Sequence, residues 1–84
     1  MDKKRLLWHC RRGMLELDLL LLGFVKRDYD QLREDEQQTF QTMLGYPDPY
    51  LLDVLMEDAT PESAEIADIV QRVRATAKAQ AEAI

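Results

Sequence analysis

The stretch from Met14 to Arg27 decides what this chain can fold into. Leu15, Leu17, Leu19, Leu20, Leu21, Leu22, Phe24 and Val25 cover most of a helical wheel rather than one stripe. A helix that is apolar on most sides has to be surrounded by other elements. It is therefore expected as the central helix of a bundle. Gly23 inside it costs roughly 1 kcal/mol relative to Ala, which fits a place where a neighbouring helix comes close.

The rest of the sequence supplies those neighbours. Leu6, Leu7, Cys10 and Met14 recur at three- and four-residue intervals, so residues 3–12 are predicted to form a short amphipathic helix that Gly13 interrupts. Asp30 is the expected N-cap of a third helix, about 31–44, with Leu32, Phe40, Met43 and Leu44 facing inward. Asp48 followed by Pro49 opens a fourth, to about Glu57, with Leu51, Leu52, Leu55 and Met56 inside. Thr60 and Pro61 repeat that device for a last helix, about 61–80, whose stripe is Ile66, Val70, Val73 and Ala77. Residues 80–84 are expected as a frayed tail. No period-two strand pattern is present. The expected fold class is all-α, a small five-helix bundle in one domain over residues 1–84. Its expected core is Leu17, Leu20, Leu21, Phe24, Phe40, Leu44, Leu52, Leu55, Ile66, Val70 and Val73.

At 84 residues only about 60% of the unfolded chain's surface can be buried, which leaves no room for a deep, dry active site. A single cysteine fits a reducing cytoplasm. The charged start has no apolar signal region, and no apolar run reaches the roughly 20 residues of a membrane span, so no membrane insertion is expected. A net charge of −5 repels phosphate backbones, which argues against nucleic-acid binding by the surface as a whole. The charge is uneven, however: Lys3, Lys4, Arg5, Arg11 and Arg12 crowd the first twelve residues against Asp2, leaving a local basic patch open.

His9 and Cys10 are the only candidates for soft metal ligation or nucleophilic chemistry. Adjacent helical residues point ~100° apart, so they form neither a nucleophile–base pair nor a metal site. The three isolated glycines make no phosphate loop. No catalytic residue and no metal are expected. Glu34, Asp35 and Glu36 are read as a solvated first turn complementing the helix dipole. The first helix is more informative. With Leu6, Leu7 and Cys10 inward, Trp8 falls on the far side with Lys4, Arg11 and Arg12. Tryptophan and arginine together are typical of binding hot spots, although the ring could equally cover the edge of the core. Arg12 and Glu16, four apart around Gly13, are either a weak surface ion pair or a polar pair displayed to another protein.

The run Trp8, His9, Cys10, Arg11, Arg12, Gly13, Met14, Leu15, Glu16, Leu17, Asp18 resembles the RGxxE signature of the SdhE family, the small succinate dehydrogenase assembly factors also called FAD assembly factors. The likeness extends over nearly the whole chain. In the family's DxDLxxW-like segment this sequence reads Asp48, Pro49, Tyr50, Leu51, Leu52, Asp53, Val54, with Tyr50 and Val54 replacing the second acid and the tryptophan. The resemblance implies a cytoplasmic bacterial chaperone, monomeric when free. It would bind the flavoprotein subunit of succinate dehydrogenase or fumarate reductase and promote covalent attachment of FAD there, holding no stable cofactor itself. Arg12, Gly13 and Glu16 would be the central contact, with Trp8, Arg11 and Asp18 as neighbours. The alternative is a small regulatory module, antitoxin-like or nucleic-acid-binding through its basic first helix.

Overall fold

The computed structural model describes residues 2–56 and 59–82. Five α-helices follow one another: α1 (Lys3–His9), α2 (Leu15–Arg27), α3 (Glu34–Met43), α4 (Asp48–Leu55) and α5 (Ala64–Glu82), with a 3-10 turn over Tyr29–Gln31 between α2 and α3. Among the described residues there is no strand, so the all-α expectation holds. The main packing is α2 and α3 against α5, with α4 added on α5.

Helix boundaries depart from the sequence expectation where local hydrogen bonds compete. α1 is capped by Asp2, whose Oδ1 accepts from the Arg5 N–H at 2.8 Å, and it stops at His9. α3 starts at Glu34, because the backbone N–H of Arg33 donates to Glu36 Oε1 at 2.9 Å in a capping-box arrangement. Asp30, expected as that cap, instead lies in the 3-10 turn and pairs with Lys3 at 2.7 Å. α5 begins at Ala64 rather than Pro61, where Ser63 Oγ accepts from the Ile66 N–H at 3.2 Å. At its other end α5 runs on through Glu82, and Ala83 and Ile84 of the expected tail lie outside the described residues, as do Glu57 and Asp58 at the expected end of the fourth helix.

Of the expected core, Leu17, Leu21, Phe24, Phe40, Leu44, Leu55, Ile66, Val70 and Val73 are buried, joined by Leu6, Cys10, Val25, Tyr29, Leu32, Met43, Leu51, Val54 and Ile69. Leu20 and Leu52 are only half-buried, and Met56, expected inside, is exposed. The centre is aromatic. The Phe24 and Phe40 rings lie 5.2 Å apart, and Tyr29 meets Phe40 edge-on at 5.6 Å. At Gly23 a side-chain carbon would sit 2.8 Å from Gln80 Oε1, so this glycine admits a side chain of α5 close to the α2 backbone.

The acidic first turn of α3 is not uniformly solvated. Glu36 is buried and its Oε2 pairs with Arg72 of α5 at 2.9 Å, tying α3 to α5. Asp35 stays exposed, and its hydrogen bond with Arg33 holds its carboxyl below the ordinary range.

Cys10 is fully buried, and burial pushes its thiol up to about 11. Above pH 9 the unfolded chain sheds a proton that the folded chain keeps, so this site erodes stability as pH rises toward about 11. At pH 8 a thiol reagent is expected to label the native chain at least about 100-fold more slowly than the urea-unfolded chain, because the thiolate is the nucleophile. Equal rates in the two states would place Cys10 outside the core.

Candidate partner-binding surface

The candidate residues sit where α1 gives way to α2. α1 ends in a tight turn: the Cys10 N–H donates to the Leu6 and Leu7 carbonyls, and the Arg11 N–H donates to Trp8 O at 3.1 Å. Gly13 then has φ +80°, a left-handed conformation that costs an ordinary L-residue about 1–2 kcal/mol. Among the described residues, its chain neighbours aside, no atom lies within 4 Å of where its side-chain carbon would be. Backbone handedness, rather than crowding, is what asks for glycine there in the free chain.

Arg12 is the anchor of the turn. Its backbone N–H donates to Asp18 Oδ1 at 2.6 Å, so the half-buried Asp18 reaches back from the first turns of α2 to hold the incoming chain. Its guanidinium points away from Glu16. Nη1 donates to Asp48 Oδ1 at 3.3 Å, and Nη2 donates to the backbone carbonyl of Leu44. The Arg12 side chain is only 17% exposed and that of Asp48 34%. Thus the Arg12–Glu16 surface pair weighed from the sequence does not form among the described residues. Arg12 spans from the α1–α2 turn to the connection between α3 and α4, and its half-buried position also removes it from the Trp8 side of α1.

Glu16 is exposed in the first turn of α2, where a negative charge is favoured by the helix dipole, and makes no ion pair among the described residues. Arg11 and Gly13 are exposed as well. Trp8 is 73% exposed, as its place on the wheel predicts, and shares a shallow depression with Asp2, Lys4 and Arg5. These two cations sit three and four residues before the ring, where helical geometry brings side chains together. His9 is exposed while Cys10 is buried, so the two diverge as expected.

The structure therefore divides the six candidates. Trp8, Arg11, Gly13 and Glu16 offer accessible surface, whereas Arg12 and Asp18 face the protein and shape the turn. Asp48 and the Leu44 carbonyl were not legible as parts of this arrangement, since they stand 36 and 32 positions from Arg12. Lys4 was joined to Trp8 by helical spacing, and Arg5, three residues before the ring, could have been joined in the same way.

A family described as the flavinator of succinate dehydrogenase matches residues 4–77. The chain belongs to this family. Its curated relatives agree. A protein of Coxiella burnetii named FAD assembly factor SdhE is 42% identical over 71 residues, covering 84% of this chain and 87% of the relative. The protein of the same name from Legionella pneumophila strain Paris is 47% identical over 73 residues, covering 87% and 91%. That of Haemophilus ducreyi is 38% identical over 79 residues, covering 94% and 96%. The flavinator match begins inside α1 and continues into the second half of α5, so it takes in the Trp8 face, the Gly13 turn and the Arg12–Asp48 connection. Among the described residues, no helix is long and apolar enough to cross a membrane.

Proposed function

We propose that this chain is a non-catalytic assembly factor. It binds the flavoprotein subunit of succinate dehydrogenase, or of fumarate reductase, and promotes covalent attachment of FAD to a histidine of that partner. The observation that carries the reading is membership of the flavinator family across residues 4–77. The factor acts as a monomer in the bacterial cytoplasm, binds no nucleic acid and keeps no FAD of its own. FAD is cargo for the partner, and bond formation belongs to the flavoprotein. The factor contributes orientation, which by itself can supply several kcal/mol of barrier reduction. A non-catalytic role is in keeping with the single thiol being enclosed and held protonated.

On this reading Glu16 and Arg11 make charge-assisted hydrogen bonds to the flavoprotein, Gly13 lets its backbone approach, and Trp8 adds apolar contact. Arg12 and Asp18 hold the turn that displays them. Glu16 gives the cleanest test, because it is exposed and forms no ion pair among the described residues. Glu16→Ala is expected to leave stability within about 0.5 kcal/mol of the parent. It should nevertheless lower covalent FAD on the flavoprotein at least about tenfold, the loss that follows when one member of a desolvated charged contact is removed. The measurement is in-gel flavin fluorescence of the flavoprotein in cells lacking the native factor. Full flavinylation by Glu16→Ala would reject this surface.

Trp8 supplies a binding signal because it is the only tryptophan. Its emission is expected to shift to the blue when the flavoprotein, itself carrying Trp→Phe replacements, is added. Trp8→Ala should weaken binding by over ~1 kcal/mol while hardly moving the melting temperature. An unshifted spectrum at saturation would remove Trp8 from the interface.

A further inference from the structure

Every exposed candidate contact after α1 depends on the path of residues 10–14, and that path is not fixed by helix formation. α1 stops at His9 and α2 starts at Leu15, so the intervening backbone needs other restraints. The side-chain restraints run through Arg12. Its N–H is held by Asp18 at 2.6 Å and its guanidinium by the Leu44 carbonyl and by Asp48 at 3.3 Å. Arg12 Nε is buried without a hydrogen-bond partner among the described residues. The guanidinium is therefore drawn inward at the expense of one unsatisfied donor, and the charge and acceptor that compensate come from Asp48 and Leu44.

Asp48 is well placed for this work. Pro47 caps α4, and Asp48 is its first helical residue, so its backbone is fixed by the helix it opens. Its carboxylate is one-third exposed and forms its one ion pair among the described residues with Arg12. A role confined to the α4 dipole would not require that reach toward a residue 36 positions earlier.

We propose that Asp48 is a positioning residue for the partner surface: through the Arg12 guanidinium it fixes the 10–14 turn in the shape that presents Gly13 and Glu16. The proposal rests on the assembly-factor reading for what the turn is presented to, but the positioning itself is a property of the free chain. Preorganising a binding turn in this way saves the cost of ordering it on association.

The test has a free-chain arm and a partner arm. In the free chain, Asp48→Ala is expected to speed amide hydrogen exchange at Arg11 and Arg12 by about tenfold more than at Val70 and Val73 in α5, since local opening is separable from global unfolding. Asp48→Asn keeps an acceptor oxygen without the charge and should fall between the two. In cells lacking the native factor, covalent flavin on the flavoprotein should follow the same order: parent, Asp48→Asn, Asp48→Ala. Unchanged exchange at Arg11 and Arg12, or equal acceleration at Val70 and Val73, overturns the proposal. So does full flavinylation by Asp48→Ala. Glu16→Ala, run alongside, separates the two ideas: if it alone is fully active, the presented surface is wrong even where the exchange result shows Asp48 ordering the turn.

Discussion

Arg12→Ala is expected to lower the melting temperature by roughly 10–25 °C, corresponding to ~2–3 kcal/mol in a domain of this size. The Arg12 side chain is 17% exposed, and its guanidinium bridges to Asp48 and to the Leu44 carbonyl. Its removal leaves a partly buried carbonyl without its donor and a partly buried carboxylate without its counter-charge. The exposed third of Asp48 keeps the figure near the lower end of what a buried pair would cost. Arg12→Lys should recover only part of the loss, because a point charge cannot fork to both acceptors. Thermal denaturation followed by circular dichroism measures both variants. A melting temperature within about 2 °C of the parent for Arg12→Ala would show that the bridge contributes no more than an exposed pair.

Phe24→Ala should have the larger effect, ~3–5 kcal/mol from lost burial and the cavity left behind. Phe24 packs 5.2 Å from Phe40, which also holds Tyr29, so truncation unseats a cluster shared by α2, α3 and the 3-10 turn. Domains of this length have a total stability of about 4–13 kcal/mol, so a substantial unfolded fraction at 37 °C is expected. The urea midpoint should fall by more than about a third with little change in slope. A midpoint equal to that of the parent would mean that the cluster does not support the fold.

The difference between these two residues also explains what the sequence revealed. Phe24, Leu17 and Leu21 could be placed in the core from periodicity, because burial of α2 is dictated by its own composition. The same composition could not say which stripe of α2 lacks a neighbour. Leu15 and Leu19 remain exposed, since the four other helices, three of them short, do not enclose a helix with apolar residues on most sides. For Arg12 the sequence left open a surface pair with Glu16 or a contact with another protein, and the intramolecular partners it does have, Asp48 and the Leu44 carbonyl, were not among the alternatives. Four-residue spacing favours a contact with Glu16 only on a continuous helix, and the chain leaves the helix between His9 and Leu15. Glu36 has the same history: its neighbours in sequence suggest a solvated turn, while its partner Arg72 comes from another helix. Pairings across the bundle are set by tertiary geometry, which local spacing does not encode. The resemblance to assembly factors was legible because RGxxE is a contiguous run.

The light attachment of α1 bears on the proposed docking of the flavoprotein. The bundle's extensive helix contacts run among α2, α3, α4 and α5, whereas α1 is held by Leu6 and Cys10 in the core, the Lys3–Asp30 pair and the turn that follows it. Detaching α1 uncovers those two core side chains and the half-buried Leu7 but leaves the Phe24–Phe40–Tyr29 contacts in place, so it takes less free energy than global unfolding. On the proposed reading, the element carrying Trp8 would serve as a latch on the rest of the bundle. Such a latch would adjust to the flavoprotein's contour at local expense, and the rate at which the Cys10 thiol becomes reactive, beyond what global stability allows, would count how often it lifts.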